Sequence, residues 1–278
     1  MVARIDGEKR GFANTAIGNI EYRERGDGSP LVMLHQTPTS SIRYSPWMPL
    51  LSDDFRCIAM TTIGYGESDR PKEPFDNIGQ FADSVIAFFD AMELEKPNLY
   101  GGWTGSQLAM AVAAKYPERV DKLILEEPFN WGTPKRREVH LRLHHYWEPK
   151  ADGSHLVELW KKYGGDKPGR DLKQFSRLFL DYLKVNDNDG AESIYEDMGW
   201  EGAGPNAMTL YDTWEDVINI QSETLVIHGT TSELGRSHEK FLELIPNATG
   251  VKLPSDGNFD IVMAPDLWAK GVLAFLKE

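Results

Sequence analysis

Seven histidines and a pair of adjacent strand-end carboxylates are the residues of this chain best suited to acid–base chemistry. Four of the histidines crowd one stretch, His140, His144, His145 and His155, interleaved with Tyr146, Trp147 and Trp160. Imidazole titrates near neutral pH and is the usual general base. His144 and His145 are neighbours, so on a helix they point about 100° apart and at most one faces a cleft. His155 follows Asp152-Gly153-Ser154, a turn and cap signature that would hang it from the start of a helix. Glu126 and Glu127 close the run Lys-Leu-Ile-Leu-Glu-Glu, and ligands of open α/β sheets bind where strands end. Each residue also has a plain structural reading. A histidine can be packed or solvated, a strand-end glutamate can hold a backbone amide or an arginine, and Asp256 suits a turn. His228 ends an apolar run and reads as core. No H-E-x-x-H run occurs, and no metal site is expected. The single Cys57 excludes a disulfide framework and a cysteine metal cluster. No cofactor is expected.

With 30 Lys plus Arg against 43 Asp plus Glu, the formal charge of −13 argues against nucleic acid, whose phosphates demand a basic face. No run of about 18 apolar residues exists to span a membrane. The N-terminus lacks the apolar stretch of a secretion signal. A cytoplasmic chain acting on a small molecule is the expectation, with a homodimer the common prior for its oligomeric state.

What must position these groups is an alternation of strands and helices. Gly18–Arg25, Leu31–Leu34, Phe55–Met60, Pro97–Tyr100 and Lys122–Leu125 read as strands; Phe81–Met92 and Ser106–Lys115 read as helices. After a break the alternation resumes with strand Thr224–His228, helix Glu239–Leu244, strand Thr249–Leu253 and helix Leu267–Leu276. Such alternation implies right-handed βαβ units and a mostly parallel sheet covered on both faces. The interval 130–212 is helix-like and polar-aromatic. It is expected to be a helical cap over a core formed by 1–129 and 213–278, or alternatively an independent helical domain.

The runs Leu-Val-Met-Leu-His-Gln-Thr-Pro-Thr-Ser-Ser (31–41), Ile-Gly-Tyr-Gly-Glu-Ser-Asp-Arg-Pro (63–71), Leu-Tyr-Gly-Gly-Trp-Thr-Gly (99–105) and Tyr-Pro-Glu-Arg-Val-Asp-Lys-Leu-Ile-Leu (116–125) resemble, in order and spacing, the α/β-hydrolase superfamily. The likeness covers nearly the whole chain and is nearest to the lid-bearing small-molecule hydrolases, lyases and dehalogenases. It is also similar to a subgroup with a His-Thr-Gly elbow and a lid motif Asp-Gly-Ser-His-Leu before a Trp. Here those runs are Trp103-Thr104-Gly105 and Asp152–Leu156, followed by Trp160.

The resemblance implies a nucleophile on a tight strand-to-helix elbow, then an acid, then a histidine. The elbow falls on Gly101–Gly105, and the nucleophile position holds Trp103, whose indole N–H is only a donor. The acid position holds Ser232, and the histidine position holds Asn258. Without nucleophile or base, ordinary Ser-His-Asp acyl transfer does not run. Ser106 is three residues past the tip, in the first helical turn, where capping or close packing suits it. The backbone donors of an oxyanion hole survive in principle: the N–H of Thr104 and one from Gln36 or Thr37. They would hold a carboxylate, enolate or carbonyl oxygen, or only water.

Glu127, His155, His144 and His145 are the acid–base candidates, and Trp103 the floor of a largely apolar pocket. Three functions stay open. One is an enzyme using non-covalent acid–base and oxyanion-hole chemistry (a lyase, isomerase or cyclase, or water-mediated hydrolase). Another is a hydrolase with relocated groups such as Ser106, Glu127 and a lid histidine. The last is a non-catalytic ligand-binding protein.

Overall fold

The computed structural model describes residues 7–131, 137–138, 141–191, 195–257, 261 and 264–278. Eight strands form one sheet among them: β1 Lys9–Thr15, β2 Gly18–Arg25, β3 Ser29–Leu34, β4 Phe55–Met60, β5 Asn98–Gly102, β6 Lys122–Glu126, β7 Glu223–Gly229 and β8 Ala248–Leu253. Their order is β1-β2-β4-β3-β5-β6-β7-β8. β1 pairs antiparallel with β2, and β2 with β4; every other pairing is parallel.

Apolar residues run without a break over Leu31–Leu34 of β3 and Cys57–Met60 of β4 because both sheet faces are covered. Leu31, Met33, Cys57 and Ala59 enter one core cluster, while Val32, Leu34, Ile58 and Met60 enter the other. Helix α1, Ile78–Ala91, buries Phe81, Val85, Phe88 and Phe89 and starts at an Asn77–Gln80 capping box. Helix α2, Thr104–Lys115, is buried along nearly its whole length. Its Gly, Ser and Ala residues let it pass close under the sheet.

The sequence reading missed β1. Only Ala13 of that strand is buried, because it lies at the sheet edge and pairs on one side alone, so no apolar run marks it. The central strand β5 extends two residues beyond the expected end, through Gly101 and Gly102 to the elbow.

Between β6 and β7 the described residues form no strand. Their helices include α3 Ser154–Lys162, α4 Leu172–Val185, the 3-10 segment Glu196–Gly202 and α5 Ala203–Thr209. Phe175, Leu178 and Tyr182 of α4 make a cluster with Trp160, Tyr163, Phe179 and Ile42. Ile42 lies in the 3-10 turn Ser41–Tyr44 after β3, so this insertion packs on the loops at the sheet's C-terminal edge. After β7 come α6, His238–Leu244, and α7, Pro265–Lys277. No helix among the described residues is long and apolar enough to cross a membrane.

Candidate active site

β5 leads straight into α2 through Trp103, whose φ of 54° and ψ of −115° form the sharp turn. Two glycines make that turn sterically possible. A Cβ on Gly101 would lie 2.2 Å from the Gly105 carbonyl oxygen, and one on Gly105 would lie 2.1 Å from that of Leu34. The tip is tied down twice: Trp103 N–H donates to Glu126 O at 2.9 Å, and the indole Nε1–H donates to Gly257 O at 3.0 Å. The indole thus reaches across to the loop after β8. That loop carries the position of Asn258, which lies outside the described residues, as does His140.

Ser106 sits in the first turn of α2, is fully buried, and donates its hydroxyl to Trp103 O at 2.5 Å. Its oxygen is directed back at the tip's own carbonyl rather than outward.

The loop after β3 brings Thr37 against the start of α2. Thr37 N–H donates to Thr104 Oγ1 at 2.7 Å, and the Thr37 hydroxyl lies 3.3 Å from the same oxygen. Gln36 turns its carbonyl to Thr39 N–H (3.0 Å) and to the His35 ring (2.9 Å). His35 Nε2 accepts from Thr62 N–H at 3.0 Å, so the proton of this imidazole is on Nδ1. Burial pushes its pKa down to about 4. A void of about 20 Å³ lies beside Thr37 and Thr104, closed by Tyr65 and by Gly204 and Met208 of α5, which is room for one water. Tyr65 OH accepts from Gly204 N–H at 2.7 Å and fastens the insertion to this loop.

Both strand-end glutamates are buried. Glu126 Oε1 accepts from Ile261 N–H at 2.9 Å and Oε2 accepts the Tyr100 hydroxyl. Glu127 has a left-handed φ of 51° and swings the other way. Its Oε1 accepts from Gly229 N–H at 2.5 Å, and its Oε2 accepts the Ser232 hydroxyl at 2.6 Å. Ser232 is therefore a donor, and the carboxylate it serves comes from the end of β6.

The histidines separate by exposure. The His145 side chain is 54% exposed, 3.8 Å from Asp197, while His144 is 16% exposed and its Nδ1 lies 2.6 Å from Glu201 Oε1. Glu201, only 2% exposed, also receives Lys162 Nζ at 2.7 and 2.9 Å. Burial alone would raise this carboxyl; the His144 hydrogen bond and the Lys162 charge outweigh it and hold the pKa below the usual carboxylate value. His155 is half-buried, and its Nδ1 accepts from Lys150 N–H at 3.1 Å within its own turn. His228 is core: it bridges Pro128 O (3.0 Å) and His238 Nδ1 (2.9 Å), and burial lowers its pKa to about 4. Asp256 is exposed. No group of three potential metal ligands exists among the described residues.

Sequence reasoning did not single out Glu201 or Lys162. Their partnership joins positions 39 apart, and His144 lies 57 from Glu201, separations that carry no local pattern.

A sheet of this order, a glycine-flanked elbow after its central strand and a helical insertion before the next strand define an α/β-hydrolase architecture. The chain belongs to that family: the model described as alpha/beta hydrolase fold matches residues 29–264. A 2-hydroxy-6-oxo-2,4-heptadienoate hydrolase of Pseudomonas putida is 31% identical over 219 residues, 76% of either chain. A 2-hydroxymuconate semialdehyde hydrolase of Pseudomonas sp. strain CF600 is 34% identical over 105 residues, so the match spans only 37% of that relative's length. Among solved structures, a hydrolase of Pseudomonas aeruginosa PA01 superposes with a TM-score of 0.76 at 18% identity, over 97% of this chain and 99% of that one.

Proposed function

We propose that this protein is an enzyme that acts on a small, largely apolar organic compound bearing a carbonyl or carboxylate oxygen, without a covalent enzyme intermediate. The observation that carries the reading is Trp103 at the tip, its indole N–H bonded to Gly257 O. An indole offers no attacking atom, and its donor is already used.

The chemistry then falls to acid–base groups and to the donors at the start of α2. Thr104 N–H and Thr37 N–H are the donors for a developing or resident negative charge, at a helix N-terminus that favours it. His144 is the acid–base group. Glu201, ionised and paired with Lys162, fixes its Nδ1–H, the arrangement by which a carboxylate orients a catalytic imidazole. Phe81, Leu108 and Met208 supply the apolar surroundings. The names of two relatives, hydrolases of 2-hydroxymuconate semialdehyde and of 2-hydroxy-6-oxo-2,4-heptadienoate, support a small oxygenated carbon chain as the substrate class.

The second reading is a ligand-binding protein without turnover. Glu127, the nearest carboxylate to the lost acid position, has both oxygens engaged by Gly229 and Ser232, which favours that reading.

The test is a panel of small oxo-acids, enol-lactones and p-nitrophenyl esters, followed by intact-mass analysis with and without a serine-directed phosphonate. Turnover that survives the phosphonate, is lost in His144→Ala, and leaves no mass adduct is the expected result. A covalent adduct on Thr104 or Ser106 overturns the reading. Binding without turnover across the panel favours the second.

A further inference from the structure

Thr104 Oγ1 lies where an incoming ligand oxygen would lie. It accepts from Thr37 N–H at 2.7 Å and stands 3.3 Å from the Thr37 hydroxyl, so both donors of that residue converge on it. The loop donor of an α/β-hydrolase elbow is thereby satisfied from within the chain by the side chain of the residue following the tip. We propose that the Thr104 hydroxyl is a resident occupant of the anion site, and that a ligand binds Thr37 only by displacing it. The proposal rests on the functional reading above, because it assigns the entry step of the same site.

Three features support displacement rather than a permanent block. The bond is between neutral groups, whereas one to an ionised oxygen is roughly twice as strong, so a carboxylate or enolate outcompetes the hydroxyl while a neutral carbonyl only matches it. The void of about 20 Å³ borders Thr104 itself, so the hydroxyl has space to leave Thr37 without moving α2. The far wall of that void is Tyr65 and Gly204, joined at 2.7 Å, so the insertion borders the space into which the hydroxyl turns. The device therefore selects for anionic oxygen and works against neutral amides and esters.

Formate and its neutral counterpart formamide, small enough for this space, are the probes, with the Thr37 backbone amide followed by nitrogen–proton NMR on the full chain. In the wild type, saturating formate is expected to shift the Thr37 amide and formamide to leave it in place. In Thr104→Ala the occupant is gone, and both probes are expected to bind about tenfold more tightly and to move the Thr37 amide. Thr104→Ser, which keeps the hydroxyl, is expected to retain the wild-type preference. The amide spectra report whether each variant is folded. A Thr37 amide that ignores saturating formate in the wild type overturns the proposal. So do equal affinities in the wild type and Thr104→Ala, or no binding of formate to Thr104→Ala at all. Turnover in the substrate panel with an unmoved Thr37 amide removes this gate and leaves the functional reading standing; a responsive Thr37 amide without turnover does the reverse.

Discussion

Ser232 donates its hydroxyl to Glu127 Oε2 at 2.6 Å, so the loop after β7 is bonded to a carboxylate arriving from the end of β6. The same carboxylate caps Gly229 N–H at the end of β7. Glu127 thus stitches β6, β7 and the loop after β7 together. Glu127→Ala leaves a buried N–H and a half-buried hydroxyl without their acceptor. Hydrogen bonds to charged groups are worth about 1.5–3 kcal/mol each, so the expected loss is roughly 3–5 kcal/mol. Glu127→Gln, which keeps one acceptor, is expected to lose less than half of that. Urea unfolding of both variants checks this, and equal midpoints for wild type and alanine variant would show that the stitch carries no weight.

Glu201 is the centre of a buried charge cluster with His144 and Lys162. Its carboxyl is held below the ordinary value, so the native state binds fewer protons here than the unfolded chain. Stability from this group is present above the unfolded carboxylate pKa and is lost as pH falls through the lower native value. Glu201→Gln removes the charge and leaves Lys162 facing a neutral amide. The expected destabilisation at pH 7 is on the order of 3 kcal/mol, shrinking as the solution is made strongly acidic. Guanidinium titrations at pH 7 and pH 3 measure the difference.

His35 and His228 carry the opposite lesson for histidine. Both are buried and neutral, with pKa values lowered from 6.5 to about 4. Between those values the unfolded chain holds a proton that the native fold refuses, so stability rises with pH across the window and is lost on acidification. Each site contributes on the order of 3 kcal/mol over it. Thermal midpoints recorded from pH 7 down to pH 4.5 are expected to fall, and His228→Gln is expected to flatten the curve. A wild-type curve level over that range contradicts the assignment.

Asp181 of α4 is nearly buried, and burial raises its carboxyl pKa to about 6 against the opposing Ser40 hydrogen bond; its Oδ2 has no hydrogen-bond partner among the described residues. Here the native state holds the proton more tightly, so its contribution is greatest below the unfolded value near 3.8 and is lost as pH rises through 6. Asp181→Asn is expected to stabilise the protein by about 2 kcal/mol at pH 7.5 and to do nothing favourable at pH 4. A stabilisation independent of pH would assign the gain to packing instead.

Much of this molecule was legible in the chain of letters. Unbroken apolar runs such as Leu31–Leu34 and Leu225–Ile227 mark strands covered on both faces, because the sheet's pleat sends alternate residues into two separate cores. Gly101 and Gly105 announce the elbow, since nothing larger fits against the Gly105 and Leu34 carbonyls, and the residue types alone decide that Trp103 cannot attack. Other facts came from the fold. That Thr37 meets Thr104, that Ser232 meets Glu127, and that Glu201 rather than a surface acid holds His144 depend on contacts 67, 105 and 57 positions apart. A hydrogen bond has a direction and a reach of about 3 Å, and no composition or periodicity encodes either across such distances. The helical insertion shows the same division: its aromatic residues foretold a packed element, but only packing could turn His144 inward and leave His145 in solvent.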